Sequence, residues 1–180
     1  MDIRDAFFEQ LFDITSKDRD VILLTADQGA WALDKFRAYL SDQFYNIGIA
    51  EQNLINVAAG LTLGGKNVFC FAIASFIIYR CYEQIKVNLC DNLIPVTLIG
   101  MGPGLSYKAD GPTHHAIYDI TLLGVLPITI LTPHNEGEAR SAAQMGYDNS
   151  IPTYIRLGKG EFPAQYGPYR DIYNEVSFIL

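Results

Sequence analysis

The chain has 180 residues, 49% of them hydrophobic and 18% charged, with a formal net charge of -7. This length suits one domain that buries roughly two-thirds of the unfolded chain's surface, and the composition excludes intrinsic disorder and a long coiled coil. A net negative charge without any Lys/Arg-rich run excludes the basic face with which general nucleic-acid binders displace counterions.

At the N-terminus Ile3, Phe7, Leu11 and Ile14 recur at helical spacing, and Asp18-Arg19-Asp20 ends that helix. Val21 to Thr25 (VILLT) reads as a fully buried strand. A helical stretch near Leu33 to Leu40 follows, then a short strand over Phe44 to Ile47. Ala50, Leu54, Val57 and Leu61 share one helix face, which stops at Gly64-Gly65. Val68 to Ile73 is the next apolar strand, followed by a helix through Tyr82 to Leu89. Pro95 to Met101 is a strand that runs into a glycine-rich loop, Gly102 to Gly111. His115 to Leu123 reads as helix and Ile128 to Leu131 as strand. Asn135 and Glu138 form a capping-box-like pair for a helix rich in small residues. Tyr154 to Arg156 closes the series, with a further strand expected at Val176 to Leu180.

Strands that lack apolar-polar alternation and are interleaved with helices predict an α/β fold. Its sheet is mostly parallel, with helices on both faces, and forms one domain over residues 1–180. Ligands of such sheets bind beyond the carboxyl ends of the strands. The segments expected there are Asp27 to Ala30, Gly48 to Gln52, Ala74 to Tyr82 and Gly102 to His115.

Cys70, Cys81 and Cys90 are scattered through apolar stretches without a CxxC pair, which predicts buried free thiols in a reducing, cytoplasmic setting. The opening MDIRDAFFEQ lacks the basic start and apolar run of a signal peptide. Val68 to Tyr79 is too short for the ~20 residues that span a bilayer. No membrane and no nucleic-acid partner is expected.

Glu51 directly follows a strand. It reads either as an acid favoured by the helix dipole or, with Ile49 and Ala50 around it, as a semi-buried proton-handling group. Phe76, Tyr79 and Tyr82 recur every three residues, as core packing or as a platform for a flat heterocycle. Asp110-Gly111-Pro112-Thr113-His114-His115 is a tight polar turn. Its adjacent histidines point different ways and His134 is distant, so no metal site is expected here and a polar substrate loop fits better. No P-loop, dinucleotide fingerprint or nucleophile elbow occurs.

The stretch Phe44 to Gly65, with its run YNIGIAEQNLINVAAGLTLGG, resembles the transketolase-family signature around a glutamate. DGPTHHAIYDITLLGVLPI, from Asp110, resembles the substrate loop and following helix of the same family. Together they identify a resemblance to the pyrimidine-binding domain of thiamine diphosphate enzymes, in the transketolase and deoxyxylulose-phosphate synthase group.

That resemblance implies roles residue by residue. Glu51 would hydrogen-bond N1′ of the cofactor's aminopyrimidine and promote its imino tautomer, making it catalytic as well as cofactor-binding. Phe76, Tyr79 and Tyr82 would line the pyrimidine pocket, with Asp27 an acid near the cofactor. Asp110 and His114 would contact the sugar's hydroxyls, His114 taking part in catalysis. Arg156 or Lys159 would meet a substrate phosphate.

The family's Mg²⁺ is held by a Gly-Asp-Gly motif with a downstream Asn on another domain. Ala109-Asp110-Gly111 with Asn135 imitates that spacing but lacks the first glycine, and reads as a decoy. The resemblance therefore implies a partner subunit carrying the diphosphate-binding domain and the Mg²⁺ ligands, in a homo- or hetero-oligomer. The third, C-terminal domain would also lie outside this chain, as in one subunit of a split enzyme or an excised domain. The implied reaction is transfer of a two-carbon ketol unit between sugars or sugar phosphates. A synthase-like decarboxylating condensation and a non-catalytic regulatory or scaffolding subunit are the alternatives. The aromatic stripe is expected to be an exposed apolar patch on the interface edge.

Overall fold

In a computed structural model, which describes residues 2–158, the chain folds around a six-stranded parallel sheet. The strands are β1 (Val21–Thr25), β2 (Phe44–Asn46), β3 (Asn67–Ile73), β4 (Thr97–Met101), β5 (Thr129–Leu131) and β6 (Thr153–Leu157), in the order β2-β1-β3-β4-β6-β5. The expected strand at Val176 to Leu180 lies outside the described residues.

The strands carry no alternation because both faces are covered. Ile22, Leu24, Val68, Cys70 and Leu98 point to one face, where they meet Leu54, Ile55 and Ala58 of α3 (Glu51–Leu63) and Ile77 and Ile78 of α4 (Ala74–Tyr79). The same layer includes α5 (Tyr82–Gln84), which continues as a π-helical stretch over Ile85–Cys90, and α6 (Asp119–Leu123). Leu23, Phe69, Phe71 and Ile99 point to the opposite face. There they meet α1 (Ile3–Lys17), α2 (Asp34–Tyr39) and α7 (Glu136–Tyr147). Edge-to-face rings fix that second layer: the Phe8 centroid lies 4.8 Å from that of Phe71 and 6.3 Å from that of Phe36.

Small residues set the spacing of α7. Ala139, Ala142, Ala143 and Gly146 are buried, and a Cβ on Gly146 would come within 2.9 Å of the Thr97 methyl. The capping pair is present, with the Glu138 N–H donating to Asn135 Oδ1 at 2.9 Å and Glu138 accepting from the His134 N–H at 2.8 Å. Asn135 is thus engaged in starting α7.

The expected helix over His115 to Leu123 is shorter, spanning Asp119–Leu123. Ala116 instead exchanges two 2.8 Å backbone hydrogen bonds with Gly104 in an antiparallel bridge, which closes a loop over 104–116. Inside that loop, 3₁₀ turns at Lys108–Asp110 and Pro112–His114 flank Gly111, whose φ of 88° an L side chain rarely adopts.

β1 lies between β2 and β3, so successive connections leave β1 on opposite sides. Such a reversal opens a crevice at the strands' carboxyl ends. The segments that follow β1, β2 and β3 meet there.

Candidate active site

Glu51 opens α3 immediately after a short turn from β2. That turn is held by Asn46, whose Oδ1 accepts the N–H groups of Asp27 (3.0 Å) and Gly48 (2.9 Å). The Asn46 amide donates back to Asp27 Oδ1 at 2.9 Å. Asp27 has a φ of 54°, rare for a residue with a side chain, and Gly48 one of 81°. These contacts clip the end of β1 to the end of β2, so Asp27 reaches the site as part of its scaffold. Asn46 carries no signal in the sequence that would mark it for this role.

The Glu51 side chain is 2% exposed, and its Oε2 accepts from Arg80 Nη1 at 2.5 Å. A carboxylate so far from water needs a charged partner. Arg80 follows α4, and its guanidinium carbon sits 4.5 Å from the centroid of the Phe76 ring, within cation–π range. Ile49, Ala50, Glu51, Gln52, Asn53 and Arg80 line an open cleft of about 480 Å³. Sequence reasoning passes over Arg80. The signal that could find it is a cation four residues after Phe76 on a helix.

The aromatic stripe divides into three environments. Phe76 lies at the site, its ring 4.9 Å from the His114 imidazole at an interplanar angle of 62°. Tyr79 is half-buried, and its hydroxyl accepts the backbone N–H of Tyr118 at 2.7 Å, linking α4 to the chain just after the 104–116 loop. Burial pushes the Tyr79 hydroxyl up, against the lowering effect of that N–H. Tyr82 is half-buried and packs against the core. The stripe is thus not an exposed patch. The exposed apolar side chains on segments after the strands' carboxyl ends include Trp31, Ile49, Leu105, Ile117 and Tyr118.

His114 is half-buried and 3.1 Å from the Thr113 hydroxyl through Nδ1. Asp110 is exposed at the rim of the same loop. Arg156 is engaged elsewhere: Nε and Nη2 donate to the two oxygens of buried Asp119, at 2.7 and 3.2 Å. Lys159 lies outside the described residues. The structure therefore brings together Glu51, Arg80, Phe76 and His114, with Tyr79 and Asp27 in support. Chemically this is a buried acid lining a cleft, bridged by a guanidinium to an aromatic face, with an imidazole against that ring from the neighbouring loop.

A family model described as "Transketolase, pyrimidine binding domain" matches residues 1–165. An apulose-4-phosphate transketolase subunit of Phocaeicola vulgatus is 34% identical over 165 residues, covering 91% of this chain and 53% of that protein. The 1-deoxy-D-xylulose-5-phosphate synthase of a Mycobacterium species is 33% identical over 159 residues, covering 87% and 25% respectively. Among solved structures, a split gene transketolase described as an inactive beta4 tetramer superposes with a TM-score of 0.80 at 29% identity. It covers 93% of this chain and 54% of its own. This chain thus spans about half the length of the apulose-4-phosphate transketolase subunits it matches. The transketolase of Pichia stipitis, at 17% identity and a TM-score of 0.79, shares the fold.

Proposed function

This chain belongs to the transketolase pyrimidine-binding domain family, and on that premise we propose that it supplies the pyrimidine-binding half of a thiamine diphosphate site completed by a partner subunit. The observation that carries this reading is the Glu51 carboxylate, 2% exposed yet lining an open cleft, with Arg80 joining it to the face of Phe76. An aminopyrimidine is flat and has a basic ring nitrogen. It therefore fits an aromatic face next to a buried acid.

When bound, thiamine diphosphate supplies a thiazolium carbon that attacks a carbonyl carbon. Glu51 would hold the proton shared with N1′ of the ring. Its burial makes that hydrogen bond strong, because little water competes. Phe76 would carry the ring face, and Tyr79 would fix the loop behind it. Asp27 and Asn46 hold the Glu51 turn in place. Asp110 and His114 would bind the sugar's hydroxyls, with His114 able to give or take a proton there. Of Arg156 and Lys159, the two residues weighed for a substrate phosphate, Arg156 is held by Asp119 through Nε and Nη2.

The reaction class is transfer of a two-carbon ketol unit between sugars or sugar phosphates. The transketolase reading takes precedence over the synthase reading because the apulose-4-phosphate transketolase relatives are themselves single subunits. The partner would supply the diphosphate-binding domain and the Mg²⁺ ligands. The three buried free cysteines suit a reducing cytoplasm. Among the described residues no helix is long and apolar enough to cross a membrane.

Co-purification with a partner carrying a Gly-Asp-Gly motif, followed by a ketol-transfer assay with thiamine diphosphate and Mg²⁺, tests the proposal. The expected result is activity from the assembly and none from this chain alone. Robust turnover by the isolated chain, or an inactive assembly that still binds cofactor, would overturn it.

A further inference from the structure

We propose that Arg80 is a built-in occupant of the aminopyrimidine subsite and must turn out to solvent before the ring can enter. This rests on the reading of Glu51 and Phe76 given above and deepens it. The guanidinium holds both surfaces that an incoming ring would use. Its Nη1 donates to Glu51 Oε2 at 2.5 Å, and its carbon lies 4.5 Å from the Phe76 centroid. A guanidinium is planar, so it covers the same aromatic face and the same carboxylate oxygen that the ring would use, although it donates to Glu51 where the ring nitrogen would accept the acid's proton.

The two members of the pair differ in freedom. Glu51 sits in the first turn of α3 at 2% exposure and cannot leave, and unpaired it would be a costly buried charge. Arg80 is 43% exposed and follows the last turn of α4. Its long stem lets the charged head reach water without backbone movement. The acid is fixed and the cation can depart. Phe76 also touches His114 at 4.9 Å, so displacement of the guanidinium would be felt on the substrate loop.

A site that must first release its own occupant binds more weakly by the fraction of time it is open. Arg80→Ala should therefore bind a ring more tightly than the parent. The probe is 4-amino-5-hydroxymethyl-2-methylpyrimidine, which has no diphosphate and so isolates this half of the site. Titration of the chain followed by NMR gives the affinity and reports the Arg80 Nε–H and His114 ring signals. Arg80→Ala is expected to tighten binding by roughly 5- to 10-fold, and the double variant Glu51→Ala/Arg80→Ala to lose that gain. In the parent, the Arg80 Nε–H signal should move to its solvent-exposed position as the probe saturates.

Equal or weaker binding by Arg80→Ala, with Glu51→Ala also weakened, would overturn the occupant role while leaving Glu51 as the ring's partner. A double variant that binds as well as Arg80→Ala would remove Glu51 from the site, and both readings would fall. Absence of binding by parent and Arg80→Ala alike would also overturn the proposal. Should Arg80→Ala not fold, Arg80→Lys keeps a charge near Glu51 and is expected to show a smaller gain. The parent's own Arg80 signal then decides, because an unchanged signal at saturation rules out displacement.

Discussion

Arg156 and Asp119 form a buried two-point ion pair, with Nε to Oδ2 at 2.7 Å and Nη2 to Oδ1 at 3.2 Å. The Tyr154 hydroxyl donates to the same Oδ2 at 2.8 Å, and Asp119 is 1% exposed. The network ties the first turn of α6 to β6, close to where the 104–116 loop ends. Gly100 leaves room for it, since a Cβ there would lie 2.6 Å from the Tyr154 hydroxyl oxygen.

Removing the carboxylate would strand a guanidinium that is 15% exposed. Asp119→Ala should therefore destabilise the fold by ~3–5 kcal/mol, the scale for breaking one side of a buried pair. Urea denaturation checks this. A midpoint shift worth less than about 1 kcal/mol, the scale of a surface pair, would mean that the network contributes little.

The thiols and the buried Tyr154 set an alkaline limit. Burial pushes Cys81 and Cys90 up to about 12 from the ordinary 9.0, raises Cys70 as well, and holds Tyr154 well above 10.0. Each group has a folded pKa above its unfolded one. Its stabilisation is therefore complete below the unfolded pKa and is lost as pH rises from there toward the folded value. Stability should fall steadily above pH 9, as followed by urea midpoints. At pH 8 a thiol-specific disulfide reagent should leave the folded chain unmodified over minutes while labelling the urea-unfolded chain fully. Rapid labelling of any one cysteine would contradict its burial.

The sheet was legible because VILLT and NVFCFAI are apolar on both faces, which only a doubly covered strand tolerates. The α7 start was legible too, since capping is a local, fixed-offset interaction. What escaped were contacts between residues distant in sequence. Arg80 pairs across 29 positions and Asp119 with Arg156 across 37. Neither partner alone carries a signal. The overlong helix at His115 failed for the same reason, because Gly104 twelve residues upstream captures the backbone of Ala116. The stripe at three-residue spacing left core packing and a ring platform both open, and Tyr79 and Tyr82 pack half-buried against the core while Phe76 meets Arg80 and His114.

Trp31 (85% exposed), Ile49 (77%) and Tyr118 (62%) crown the end of the sheet where the site opens. Large apolar groups left this exposed at the site's end of the sheet suit a contact surface. Without a partner, the chain should self-associate through this edge, and Ile49→Asp with Trp31→Ser should shift it toward monomer in light scattering. A parent that stays monomeric at high concentration would count against this use of the surface.

His114 stands beside Phe76 but belongs to the loop, so its loss should be felt by the sugar more than by the cofactor. In the assembled enzyme, His114→Ala should lower turnover by roughly 5- to 100-fold, the range for leaving one buried hydrogen-bond partner unsatisfied. Thiamine diphosphate affinity by calorimetry should change little. If cofactor binding collapses while the fold persists, the imidazole supports the ring pocket instead of the substrate.

Glu51→Gln bears on the centre of the functional reading. Glutamine keeps the size and can still receive a hydrogen bond from Arg80, so the α3 start and the packing around it should persist. It cannot hold an exchangeable acidic proton against a ring nitrogen. Loss of one positioned acid–base group costs ~10²–10⁴-fold. The measurement is hydrogen–deuterium exchange at the thiazolium C2 of thiamine diphosphate in the assembled enzyme, with circular dichroism to establish that the variant folds. Exchange slowed by that factor with an unchanged spectrum is the expected outcome. Exchange equal to the parent's would reduce Glu51 to an acid at a helix start, paired with Arg80 for packing alone.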